Sequence, residues 1–216
     1  MTTERTGGLG PDDSGSAVVV VLLAVLLVTA LGVGLLTLGG AETMIVANFT
    51  SGTEAIYAAD GLAERVVQDL RLVPRWSDAL SGVVTSPFID AAGRPETPFG
   101  EMLDLVAMTG DLQSETDAGD RWGLNNPRWR LFASGSLSAL ASGTIESPVY
   151  VVAWVADDPS ETDNDPATDS NGVVIVRAQA LGAFGTRRMV ELTVARVDPR
   201  DAGRAGVRVL AWREIR

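Results

Sequence analysis

The chain has 216 residues, 46% of them apolar, a formal net charge of −11, and neither histidine nor cysteine; its basic residues are all arginine. Without His, Cys or Lys it lacks the side chains for Ser-His-Asp or Cys-His nucleophile systems, Schiff bases, and the common zinc and copper sites. What remains is carboxylate, hydroxyl and hard-metal chemistry, which points to a structural, non-catalytic protein. The acidic balance argues against nucleic acid as a partner, because neutralising phosphates requires a basic footprint.

Residues 1–14 are polar and glycine-rich, ending in Pro11-Asp12-Asp13-Ser14. No charged residue follows until Glu42, and Ala17 to Leu38 is almost wholly aliphatic. A helix crosses the hydrocarbon layer with about 20 apolar residues, so this run is long enough to span. It exceeds the roughly 7–15-residue apolar region of a cleaved secretory signal, so it is expected to stay in the mature protein. Arg5 precedes the run and no arginine follows before Arg65, which places the N-terminus on the cytoplasmic side by the positive-inside rule. Taken alone, the run also fits an ordinary signal anchor.

Beyond Glu42, apolar residues recur at helical spacing: Ile45, Phe49, Ile56, Ala59, Ala63, Val66 and Leu70. Polar Glu54, Asp60, Glu64, Arg65 and Asp69 fall largely between them. Pro74 cannot continue a helix and biases its predecessor away from helical angles, so the stripe should stop near Val73. The expectation is one helix from about Ser16 to about Leu72, roughly 85 Å long at 1.5 Å per residue. Its first half (16–40) suits lipid, and its second half (41–73) suits packing against a soluble domain. The alternative is two helices with a break at Gly39-Gly40.

Residues 74–216 form the expected globular head. Glu101–Met108 and Trp129–Ala141 are read as short helices, the latter because Leu131, Leu137 and Leu140 fit helical spacing loosely. Four valine-rich runs read as strands: Val149–Ala156, Val173–Ala180, Arg188–Val197 and Val207–Arg213. Gly182–Gly185 supplies a hairpin turn and Asp198-Pro199-Arg200 another, so neighbouring strands should be antiparallel. A sheet open on one face would bury the helical stripe, giving an α+β fold. The five tryptophans, Trp76, Trp122, Trp129, Trp154 and Trp212, are read as packing residues, with a flat platform for carbohydrate as the other use.

Between the first two strand runs lies the densest chemical feature, Asp157-Asp158-Pro-Ser-Glu161-Thr-Asp163-Asn164-Asp165-Pro-Ala-Thr-Asp169-Ser-Asn171-Gly172. Carboxylates so crowded, with no basic residue among them, must be solvated or metal-bound. Ca²⁺ takes six to eight hard oxygens, and Asp157, Asp158, Asp163, Asp165, Asp169 and Asn171 are the candidate ligands. The spacing does not follow the EF-hand scheme. A hydrophilic loop without metal, or a catalytic carboxylate pair, are the other readings.

Several of these segments resemble PilX-type minor pilins of bacterial type IV pili. Gly15-Ser16-Ala17 followed by the aliphatic run is similar to the start of that family's mature chains. Ala47-Asn48-Phe49 and then Ala55-Ile56-Tyr57-Ala58-Ala59-Asp60-Gly61 resemble its N-terminal signature, so the likeness covers about residues 15–72. Asp169–Val174 and Val190–Arg196 also look like these proteins, whereas residues 75–147 match no recognised pattern.

The resemblance implies a pilin-like fold, with the long N-terminal helix packed on an antiparallel sheet of about four strands. It implies a prepilin leader over 1–15, cut by prepilin peptidase after Gly15, and N-methylation of Ser16. It implies a single-pass inner-membrane precursor with a periplasmic head, displayed at the cell surface after assembly. Its partners would be other minor pilins, the major pilin, the inner-membrane assembly platform and a PilY-type tip adhesin. Two features depart from the pattern: Asp12, Asp13 and Ser14 stand where leaders usually carry Lys or Arg, and Val20 occupies the mature fifth position, where most pilins have Glu. The tip subunit among related pseudopilins lacks that Glu, so Val20 suggests a place at or near a filament tip, priming or capping assembly. The resemblance also implies that the glycine-rich stretch 32–40 loosens in a filament. A type II secretion minor pseudopilin, and an anchored periplasmic binding domain that never enters a filament, are the alternatives.

Overall fold

In the computed structural model, residues 11–90, 94–97, 100–119, 121–197 and 206–215 are described. They form helix α1 (Pro11–Leu70), helix α2 (Trp76–Leu80), helix α3 (Leu105–Ala118), strand β1 (Arg130–Ser136), helix α4 (Leu137–Leu140), and strands β2 (Tyr150–Asp157), β3 (Val173–Leu181), β4 (Arg187–Val197) and β5 (Gly206–Ile215). By contacts the chain divides into two units, Met1–Ala47 and Asn48–Arg216.

The described part of the first unit belongs to α1. Its large apolar side chains from Val18 to Val46 are all exposed, and this is the one helix among the described residues long and apolar enough to cross a membrane. The helix continues through Gly39-Gly40, as expected of a single helix and not of the alternative with a break there, and the stretch 32–40 is helical. The few hydroxyls in this apolar stretch bond back into the helix: Thr29 Oγ1 donates to the Val25 carbonyl at 2.8 Å, and Thr37 Oγ1 to that of Gly34 at 2.8 Å. Such bonds satisfy polar groups where water is absent.

The second unit is an α+β domain. Its five strands form an antiparallel meander in the order β1-β2-β3-β4-β5. Strand alternation sends Val151, Ala153 and Val155 of β2 to one face, with Val174, Val176, Ala178, Ala180, Val190, Leu192 and Val194 from β3 and β4. Ala55, Ala58, Ala59, Leu62, Ala63, Val66, Val67 and Leu70 of α1 pack against that face, a stripe with the three-and-four spacing of a buried helical surface. The helix contributes mostly alanine and valine here, which lets it lie close to the sheet. α1 ends at Leu70, a few residues before Pro74.

The sheet's other face is covered as well: Tyr150, Val152, Trp154 and Ala156 of β2 cluster there with Leu105 and Leu112 of α3 and with Leu103, Trp129 and Leu181. Two expectations need correction. Trp129–Ala141 is not a helix; Arg130–Ser136 is a fifth strand and only Leu137–Leu140 is helical. Pairing with β2 supplies β1 with backbone partners and burial on both sides, and this outweighs a loose helical spacing of leucines. The helix read at Glu101–Met108 begins at Leu105, where Asp104 caps its N-terminus by accepting from the Ala107 amide at 2.9 Å, and runs to Ala118.

The turn at 182–186 lies where the glycines placed it, closing with Gly182 N donating to Thr186 O at 2.8 Å. The turn expected at Asp198-Pro199-Arg200 lies outside the described residues. The free side of β1 is covered by the segment 86–90, whose amides at Ser86 and Asp90 donate to Phe132 and Ser134 carbonyls. Trp76, Trp129 and Trp154 are buried, whereas Trp122 and Trp212 are half exposed.

Candidate cation site in the acidic loop

The loop joining β2 to β3 is the acidic segment, and its fold follows from its own side chains. Asx residues bond to backbone two or three residues on, which turns the chain locally. Asp158 accepts from Ser160 N and Oγ, Asp163 from Asp165 N, Asp165 from Ala167 N and Thr168 Oγ1, and Asp169 from Gly172 N at 2.7 Å. Asn171 donates to Asp158 Oδ2 at 2.8 Å and accepts from Val173 N at 2.6 Å. Asn164 sits at φ 61°, a left-handed conformation that Asn tolerates, and Gly172 at φ 75°. The Asp169 amide donates to Ser77 Oγ at 3.1 Å, which fastens the loop to α2.

Glu161 is the loop's central strut. Its carboxylate is buried and accepts from the Ser170 amide and hydroxyl and from Asn171 N, while its carbonyl accepts from Asn125 Nδ2. It therefore joins the two ends of the loop and ties them to residues 123–125.

Among the described residues, one group of carboxylates has the spacing of a metal site: Asp157, Glu161 and Asp163, with one oxygen from each lying within 4.8 Å of the others. Oxygens about 2.4 Å from a shared Ca²⁺ are at most about 4.8 Å apart, so this spacing fits a shared ion. Asp157, the last residue of β2, is 2% exposed, and its Oδ1 has no hydrogen-bond partner. Burial, reinforced by the Glu161 carboxylate, pushes the Asp157 carboxyl up to about 8. Asp169 is also pushed up, chiefly by burial, with Glu161 adding to the effect and Arg196 opposing it. Arg196 lies over the Trp76 ring, 4.5 Å from its centroid, and donates to the Val73 carbonyl at 2.9 Å.

Of the six ligands expected from sequence, the structure gathers Asp157 and Asp163. Asp158, Asp165, Asp169 and Asn171 instead spend their polar atoms on the loop's own turns. Glu161, absent from the expected ligand set, is the third member. The signal was its longer side chain among aspartates, four residues after Asp157 and two before Asp163.

The other sequence-derived residues fall as follows. Gly15 and Ser16 lie exposed within α1. On the expected packing face, Ala59, Ala63, Val66 and Leu70 are buried and Ile56 partly so, whereas Ile45 and Phe49 are 67% and 76% exposed. The sheet meets α1 first at Ser51, whose hydroxyl donates to Thr186 Oγ1 at 3.1 Å in the β3–β4 turn, so the buried stripe starts there and not at Ile45. At Gly52 an added Cβ would stand 3.3 Å from the Arg188 guanidinium, close enough that the arginine would have to shift.

No family model, curated protein or solved structure matches this chain.

Proposed function

We propose that this protein is a minor pilin: a membrane-anchored, non-catalytic subunit that primes or caps assembly of a type IV pilus. The observation that carries the reading is α1. One helix holds an uncharged, wholly exposed apolar stretch long enough to span a bilayer, and its later turns from Ala55 onward form the core of an antiparallel α+β domain. That economy suits a subunit stored in a membrane by its helix and later transferred into a fibre. Gly15-Ser16 at the head of the apolar run supplies the processing site this requires. Val20 removes the carboxylate that most pilins place at the mature fifth position, where an unpaired charge in lipid favours docking to a neighbouring subunit's N-terminal amine. A subunit without it has no such need, which favours a tip position. Before assembly the N-terminus would face the cytoplasm and the head the periplasm.

The test is intact-mass measurement of the full chain extracted from membranes of cells with and without prepilin peptidase. The expected product with peptidase lacks residues 1–15 and carries one methyl group on Ser16, and Gly15→Val blocks the change. An unprocessed chain in the presence of active peptidase would exclude the pilin and pseudopilin readings together and leave an anchored periplasmic domain. Loss of pili or loss of type II secretion on deletion then separates the first two.

A further inference from the structure

We infer that Asp157, Glu161 and Asp163 form a binding site for a hard divalent cation, calcium by preference, which locks the β2–β3 loop onto α2 and the sheet. Two independent observations converge on these residues. Their oxygens already lie at the separations a shared ion imposes. In addition, Asp157 is buried with Oδ1 unpartnered, an arrangement that leaves that oxygen desolvated without a hydrogen bond. A proton can relieve this, which is why the Asp157 carboxyl is held so far above the usual carboxylate range. A divalent cation relieves it better, because it neutralises all three carboxylates at once.

The chemistry selects the ion. The described residues around the site offer oxygen, and the chain has no thiol or imidazole, so soft and borderline metals have no advantage. A loop built of Asx turns is irregular, which suits the flexible coordination of Ca²⁺ better than the octahedron demanded by Mg²⁺. Three carboxylates leave room for backbone carbonyls and water to complete the shell. Glu161 is the coupling element. It accepts from Ser170 and Asn171, and the adjoining Asp169 amide reaches Ser77 of α2, so an ion bound to Glu161 stiffens both ends of the loop. This inference does not depend on the filament reading.

The experiment uses the full chain in a neutral detergent, with calcium measured by equilibrium dialysis and metal analysis, and thermal unfolding followed in calcium, in magnesium, in EDTA, and in NaCl of matched ionic strength. The expected result is about one calcium per chain. Tm should rise by roughly 5–10 °C when calcium exceeds its Kd a hundredfold. Magnesium should give a smaller rise and NaCl none. Asp163→Ala removes an exposed side chain and its one turn bond from the Asp165 amide and should cut calcium affinity at least tenfold, while Asp165→Ala, which also removes turn bonds, should leave binding intact. Asp157→Asn should abolish binding while melting close to the wild type in EDTA, since a neutral side chain of the same shape replaces a carboxyl that holds a proton when no ion is bound. Absence of bound calcium, an equal Tm rise in NaCl, or equal binding by Asp163→Ala and wild type would each overturn the site. Because Asp163 is exposed, its variant decides the matter even if Asp157→Asn does not fold.

Discussion

Trp76 is the side chain whose loss should most weaken the second unit. It lies two residues after Pro74, at the start of α2, and three interactions converge on it. Its ring is 1% exposed, its Nε1 donates to the Leu70 carbonyl at 2.9 Å, and Arg196 covers its face. The Leu70 carbonyl belongs to the last turn of α1, where helical partners run out; apart from the indole it has only a longer bond, 3.3 Å, from Val73 N. Trp76→Phe keeps most of the ring and deletes the hydrogen bond, costing about 1–3 kcal/mol from the lost bond and a small cavity. Trp76→Ala opens a cavity beneath Leu70 and Arg196 and should cost about 3–5 kcal/mol, with up to about 1 kcal/mol more from the lost cation–π contact. For a unit of this size each kcal/mol lowers Tm by roughly 2–4 °C, so the expected drops are about 2–12 °C for Phe and about 6–24 °C for Ala. Calorimetry and near-ultraviolet circular dichroism of the full chain in detergent measure both. A fall of less than about 2 °C for Trp76→Ala would refute the claim that this indole seals the helix end.

Two further predictions test the packing of the sheet. In β1, a Cβ on Gly135 would stand 2.5 Å from Cζ of Phe88, whose backbone is bonded to the strand, so Gly135→Ala should cost about 1–3 kcal/mol by forcing the ring aside. Gly110→Ala in α3 meets nothing within 4 Å and should instead stabilise by about 0.5–1 kcal/mol; paired melting curves of opposite sign are the check. The Tyr150 hydroxyl is pushed up to about 12, first by burial and then by the Asp90 carboxylate. The native state thus keeps this proton through the range where the unfolded chain releases it near pH 10. Stability should fall as pH rises from about 10 to about 12, by about 2–3 kcal/mol in all, and urea titrations of Tyr150→Phe should show a shallower decline.

The long apolar run, the end of the long helix and four of the five strands could be read from local pattern, because each depends on neighbours within a few residues. An uncharged run of spanning length, a proline after a three-and-four stripe, and valine-rich runs separated by turn residues act through the chain's own backbone. The carboxylate cluster was half legible for the same reason: the acidic composition marked the loop, and Asp157 and Asp163 stood among its residues.

Tertiary structure decided what local pattern left open. Arg130–Ser136 became a strand because β2 offered it a ladder, although the spacing of Leu131, Leu137 and Leu140 suggested a helix. The leucines of α3 are buried because β2 has two apolar faces, and one helical stripe can cover only one. The stripe on α1 starts at the β3–β4 turn and not at Ile45, since burial depends on where the sheet ends. In the acidic loop, which carboxylates met was settled by hydrogen bonds across the loop. Asp158, Asp165 and Asp169 were taken up by nearby amides, and Glu161 was held by Ser170 and Asn171, leaving Asp157 buried with its Oδ1 unpartnered. Composition can count charges, but only a closed loop determines which of them lose their water.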